Sequence, residues 1–86
     1  MIVPTIGRIV WMFRTTTDDP KQAEPAIVCY VHGEGRYINV AGFDHQGTPF
    51  SLTSVYLVQE GEAKPEGQSF ACWMPYQQAA AKKYPA

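Results

Sequence analysis

The sequence predicts a small all-β domain, either a five-stranded barrel of the SH3-like or OB-like kind or a strongly bent antiparallel sheet. Three observations support this fold class. The chain has 86 residues, which is enough for one domain only. Its 45% hydrophobic and 13% aromatic residues are sufficient to bury a core. Five short apolar stretches, four of them rich in β-branched and aromatic residues, alternate with turn-forming residues.

The five apolar stretches define the predicted strands. In chain order they are residues 6–14, 26–32, 36–43, 52–59 and 69–74. Because no segment is long enough for a crossover helix, we do not expect parallel pairing.

The segments between the predicted strands are typical of loops. Residues 15–25 contain two prolines, which cannot donate to a strand ladder, so an exposed loop is expected there. Gly33, Glu34 and Gly35 form a standard hairpin connection. Residues 44–49 predict a turn and residues 60–68 a solvated loop. We predict one domain over residues 1–76 and a tail over residues 77–86 whose first part favours a short helix.

Side chains alternate across a strand, so residue parity predicts two faces. The predicted core face contains Val10, Met12, Ile27, Cys29, Val31, Ile38, Val40, Val55, Leu57, Phe70, Cys72 and Met74. The opposite face contains Ile9, Trp11, Val28, Tyr30, His32, Tyr37, Asn39, Tyr56 and Trp73. Aromatic rings with polar groups are enriched where a partner or ligand binds, which makes this second face the candidate functional surface. Two alternatives are that these rings close the ends of a barrel, or that they form a homo-oligomer interface.

The charged residues argue against bulk attraction to nucleic acid. Seven Lys and Arg stand against eight Asp and Glu, for a net charge of -1. Arg8, Arg14 and Arg36 are the exceptions of interest, because a guanidinium beside an aromatic ring can pair with a phosphate while the ring stacks on a base. The structural alternative is that they serve only solubility.

Signals for catalysis, metals and cofactors are missing from the sequence. Neither cysteine, Cys29 or Cys72, belongs to a nucleophile motif or a metal-binding pair, and both are expected to be free, inert thiols. His32 and the Asp44–His45 pair could form an acid–base or metal set only if the fold brought them together. We therefore predict no catalytic residue, no metal and no cofactor.

The sequence predicts a cytosolic protein. No apolar run approaches the roughly 20 residues that span a bilayer, and residues 1–5 lack the features of a signal peptide.

Both ends of the chain resemble a known group. Residues 4–10 read Pro-Thr-Ile-Gly-Arg-Ile-Val, residues 53–55 read Thr-Ser-Val, and residues 70–75 read Phe-Ala-Cys-Trp-Met-Pro. This pattern resembles a group of small proteins from tailed phages and prophages, whose members open with a similar stretch and close with an aromatic-rich segment before a proline. Trp11 and Met12 stand where His-Tyr is common in that group. The resemblance implies a phage origin and a location in the host cytoplasm.

The resemblance favours binding over catalysis, because short phage accessory proteins act mostly by binding. In size and style the chain is similar to oligomeric phage proteins that sequester cyclic nucleotide immune signals. We therefore expect a homo-oligomer that binds a nucleotide-like molecule or a host defence protein. The predicted ligand-binding residues are Arg8, Trp11, Tyr30, His32, Arg36, Tyr37, Asn39, Tyr56 and Trp73. The alternatives are a virion-associated or structural oligomer and a single-stranded nucleic-acid-binding module.

Overall fold

A computed structural model describes residues 1–83, which form a closed five-stranded barrel followed by one helix. The elements are β1 Ile9–Phe13, β2 Glu24–His32, β3 Tyr37–Phe43, β4 Pro49–Val58, β5 Phe70–Cys72 and α1 Pro75–Lys83. The predicted all-β barrel with a short helical tail is confirmed. The helix begins two residues before the predicted tail, and residues 84–86 of that tail lie outside the described residues.

The strands follow one another around the barrel in chain order. Antiparallel pairs join β1 to β2, β2 to β3, β3 to β4 and β1 to β5. However, β4 and β5 pair in parallel, with Tyr56 opposite Phe70 and Val58 opposite Cys72. The expectation of no parallel pairing was therefore wrong. Directions cannot alternate around a closed ring with an odd number of strands, and residues 59–69 make the crossing as a loop rather than a helix.

The long strand β2 starts earlier than expected. Glu24 and Pro25 belong to it and pair with Met12 and Trp11. The prediction of a loop through residue 25 was wrong there, because a proline is tolerated in the first residues of a strand.

The barrel interior contains a hydrophobic cluster. Its members are Val10, Met12, Ala26, Val28, Ile38, Val40, Val55, Leu57, Ala71 and Trp73. The predicted inward positions of β1, β3 and β4 are confirmed, because all six of their named core residues are buried.

A β-bulge reverses the two faces of the first part of β2 relative to the prediction. The register shifts between Val28 and Tyr30, so the consecutive residues Cys29 and Tyr30 are both exposed. Before the bulge, Val28 faces the core while Ile27 and Cys29 face outward, which contradicts the predicted placement of all three. After the bulge the predicted phase holds, and Val31 packs against the core cluster.

The phase of β5 is also opposite to the prediction. Ala71 and Trp73 are buried, whereas Phe70, Cys72 and Met74 are only half-buried. Both parities of this segment carry apolar residues, so alternation could not distinguish the faces.

An ion pair lies inside one end of the barrel. Glu24 is 1% exposed and accepts two hydrogen bonds from Arg14, from Nε at 2.7 Å and from Nη2 at 2.8 Å. The Arg14 guanidinium also lies 4.1 Å from the centroid of the Phe50 ring. The carboxylate of Glu24 raises the pKa of Arg14 through this hydrogen bond. Arg14 is therefore part of the barrel's internal structure and is committed to Glu24.

Across residues 1–83, no helix combines the length and the apolar character that crossing a bilayer would require.

Candidate functional site

Four aromatic side chains lie on the outer surface of β2, β3 and β4. We call Tyr30, His32, Tyr37 and Tyr56 the ring cluster. The strand register places His32 opposite Tyr37 and Tyr37 opposite Tyr56. The rings of Tyr30 and His32 meet edge to face at a centroid distance of 4.9 Å, and those of Tyr37 and Tyr56 are tilted at 5.7 Å. Tyr30 is 54% exposed and Tyr37 is 48% exposed, so both rings offer area to a partner.

The Asn39 amide beside the ring cluster determines which nitrogen of the His32 imidazole carries a proton. Asn39 Oδ1 accepts the backbone N–H of Ser54 at 2.8 Å and also lies 2.8 Å from His32 Nε2. Because an amide oxygen only accepts, His32 Nε2 must carry the proton in this contact. In the neutral imidazole, Nδ1 is therefore left as an acceptor.

Arg36 supplies a cation at the other side of the ring cluster. Its Nη1 donates to the Tyr56 hydroxyl at 2.9 Å and to Glu62 Oε1 at 2.7 Å. The Glu62 carboxylate raises the pKa of Arg36, and Arg36 in turn lowers the pKa of Glu62. All of these bonds use Nη1, so within residues 1–83 the Nε and Nη2 donors of Arg36 make no hydrogen bond.

Six of the predicted ligand-binding residues therefore lie together, namely Tyr30, His32, Arg36, Tyr37, Asn39 and Tyr56. The other three do not join them. Trp73 is 1% exposed and belongs to the core, so its prediction as a surface residue was wrong. Arg8 places its guanidinium 5.4 Å from the centroid of the Trp73 ring. Trp11 lies on the outer surface of β1, between Pro25 and Cys72.

Glu62 and Ser54 complete the site but were not predicted. Glu62 belongs to a segment expected only to be a solvated loop, and no local pattern indicates that it reaches Arg36. Ser54 has a φ of 54°, which is unusual for a residue with a side chain, and it lies where the pairing of β3 and β4 shifts register. At this irregularity the Ser54 N–H donates to Asn39 Oδ1. No sequence pattern predicts this contact.

The two histidines and Asp44 do not form one catalytic or metal-binding set. His45 Nδ1 lies 2.6 Å from Asp18 Oδ1, and His45 Nε2 lies 3.2 Å from the carbonyl oxygen of Ala23. Both ring nitrogens face acceptors, which favours the doubly protonated ring, and the pKa of His45 is accordingly raised. Asp44 instead accepts backbone N–H groups within its own turn. No group of three or more metal-ligating side chains occurs in the described part of the chain.

Among residues 1–83, the cysteines form no disulfide and no hydrogen bond with a basic side chain. Both are free thiols, Cys29 exposed and Cys72 half-buried. Burial raises the pKa of Cys72, which lowers the fraction present as the reactive thiolate.

A groove of about 990 Å³ reaches Glu62 but is lined by none of the four ring-cluster residues. It separates the first residues of the chain from α1, and its lining includes Arg8, Tyr76 and Gln77. Gln77 anchors the helix by donating to the carbonyl oxygen of Ile9, while Lys82 pairs with Glu60. No residue of α1 is buried. We therefore place the candidate site at the ring cluster, where the aromatic and polar groups converge.

Searches against protein-family models, curated proteins and solved structures found no match to this chain.

Proposed function

We propose that this chain is a non-catalytic binding protein of a phage or prophage, which sequesters a nucleotide-like signal of the host's defence in the host cytoplasm. The observation that carries the proposal is the ring cluster with Arg36 and Asn39 beside it. It combines two half-exposed tyrosine rings, a cation with unused donors and fixed hydrogen-bonding groups on one surface.

The chemistry of this surface matches the parts of a nucleotide. A base can stack on an exposed ring such as Tyr30 or Tyr37, and such stacking tolerates every base because each has a π face. A phosphate accepts two parallel hydrogen bonds from a guanidinium, and Arg36 has Nε and Nη2 available for this. The contacts of Nη1 with Tyr56 and Glu62 hold the guanidinium in place beside the rings.

The charge balance favours a small nucleotide over a nucleic-acid strand. The net charge of -1 provides no extended attraction to a polyphosphate backbone, whereas one guanidinium is enough to pair with a phosphate of a small ligand.

A thermal-shift screen with cyclic dinucleotides, cyclic trinucleotides and adenosine diphosphate ribose tests the proposal. A ligand that binds the native state must raise the unfolding temperature by mass action. For a nucleotide that does so, titration calorimetry with Tyr37→Ala should show an affinity lowered about 5- to 150-fold, which corresponds to the loss of one stacked base. Arg36→Ala should weaken binding as well.

The matched controls are Tyr76→Ala, which removes an exposed tyrosine of α1, and Arg8→Ala, which removes an arginine outside the ring cluster. Both should bind the nucleotide as the unchanged protein does. The proposal fails if no nucleotide in the screen raises the unfolding temperature, or if the control variants weaken binding as much as the ring-cluster variants.

A further inference from the structure

A second exposed surface lies on the outside of β1, β2 and β3, and it is apolar. We call it the apolar strip; its residues are Ile9, Trp11, Pro25, Ile27, Ala41 and Phe43. The register makes them neighbours, with Trp11 opposite Pro25 and Ile9 opposite Ile27, which in turn is opposite Ala41. Ile9, Trp11, Ile27 and Phe43 are all large side chains left exposed.

The apolar strip carries no charge, although charged residues flank it in the sequence. Arg8 precedes Ile9, but its guanidinium lies over the ring of the buried Trp73. Glu24 precedes Pro25, but it is buried and paired with Arg14. Arg8 is exposed but its guanidinium lies at Trp73, and Glu24 is buried, so neither charge belongs to the outward side chains of the strip, which are all apolar.

The closed barrel limits how this surface can associate. Within the described residues, Trp11, Ile27 and Ala41 each have a ladder partner on both sides, so the centre of the strip has no open edge for strand addition. Association must therefore use side chains face to face. From strand spacing and rise, the strip measures roughly 300 Å², the lower end of the range for the largest apolar patch of a typical monomer, a patch that is often functional. A standard interface buries about 800 Å² on each partner, with an apolar centre and a polar rim.

We infer that the apolar strip is the centre of a two-fold homodimer interface. In a two-fold interface each residue near the axis approaches its own copy, so any charge there would meet a like charge. An uncharged surface satisfies this requirement and makes a second copy of this chain the matching occupant. The inference goes beyond the proposed function, because the ring cluster is formed by other residues.

Sedimentation equilibrium between about 1 µM and 1 mM protein measures the association directly. The unchanged protein is expected to approach twice the 9.6 kDa chain mass as the concentration rises. Trp11→Glu and Ile27→Glu should each raise the dimer dissociation constant at least about 100-fold, since each places like charges across the two-fold axis. Tyr76→Glu is the matched control, because it puts the same charge on an exposed aromatic position of α1 and should not change the constant.

Circular dichroism verifies that each variant is folded, and the milder Ile27→Ser replaces Ile27→Glu if the latter is not. The inference is overturned if the unchanged protein keeps the single-chain mass at every concentration, or if the strip variants dimerise as it does. It is also overturned if Tyr30→Ser combined with Tyr37→Ser abolishes the dimer, because the interface would then be the ring cluster. Nucleotide titration of Trp11→Glu separates this inference from the proposed function, since the ring cluster is unchanged in that variant.

Discussion

Replacing Arg14 with alanine tests the internal ion pair of the barrel. Glu24 is 1% exposed, and both of its carboxylate oxygens accept hydrogen bonds from Arg14. In Arg14→Ala the carboxylate stays in the interior without its cation, and the contact of the guanidinium with Phe50 is lost as well. We expect this single substitution to be among the most destabilising in the chain.

The burial of Glu24 sets the size of the expected loss in the free energy of unfolding. Removing one partner of a buried ion pair costs about 3–5 kcal/mol, because the remaining charge is desolvated and uncompensated. A domain of this length has a total stability of about 4–13 kcal/mol, so Arg14→Ala would remove a large part of it. At about 4–8 °C for each kcal/mol, the unfolding temperature should fall by at least about 12 °C.

Urea and thermal unfolding followed by circular dichroism measure this loss. The comparison variant Glu24→Gln should lose only about 1.5–3 kcal/mol, the range for a charge-assisted hydrogen bond, because Arg14 can still reach water at its 17% exposed side chain. Combining Arg14→Met with Glu24→Leu should restore much of the stability, since well-packed apolar residues can replace a buried pair.

A loss below about 1 kcal/mol for Arg14→Ala would refute the reasoning, because that is the contribution of an exposed ion pair. The same conclusion would follow if Glu24→Gln were the more damaging substitution of the two.

Two further predictions concern the core and the loops. Trp73→Ala should cost about 3–5 kcal/mol in urea unfolding because the indole is buried, while Trp11→Ala should cost clearly less; equal losses would contradict the placement of Trp73 in the core. The hydrogen bond with Asp18 raises the pKa of His45 above its ordinary value of 6.5. The stability that protonated His45 contributes is therefore complete below pH 6.5 and is lost as the pH rises through the raised pKa. Hydrogen bonds from Gln46 and then His45 lower the pKa of Asp18 below 3.8, so its contribution is present above that pH and is lost in stronger acid. Nuclear magnetic resonance titration should show a lower His45 pKa in Asp18→Asn than in the unchanged protein, and an unchanged value would refute the pairing.

The sequence alone determined the fold class and much of the core. β-branched and aromatic residues separated by turn signals were sufficient to predict five strands, because the hydrophobic period and the turn chemistry are local properties. The inward residues of β1, β3 and β4 followed from simple alternation. The same alternation brought Tyr30, His32, Tyr37 and Tyr56 onto one predicted face, where the structure also places them.

Only the tertiary structure decided the phase of β5 and of the part of β2 before the bulge. One extra residue at the bulge reverses the face that each preceding side chain of β2 occupies. Val28 therefore faces the core, and Ile27 and Cys29 face outward, opposite to the prediction. In β5 the ladder is three residues long, so its neighbours, rather than its own pattern, determined that Trp73 enters the core.

Closure and long-range pairing were likewise beyond local sequence patterns. Five strands in a closed ring require one parallel pair, but closure itself becomes visible only when β5 is seen between β4 and β1. The partners of the arginines depend on residues far away in the chain, Glu24 for Arg14 and Glu62 for Arg36. Local patterns therefore indicated which residues were chemically suited to a site, and the packing of distant segments decided which of them meet.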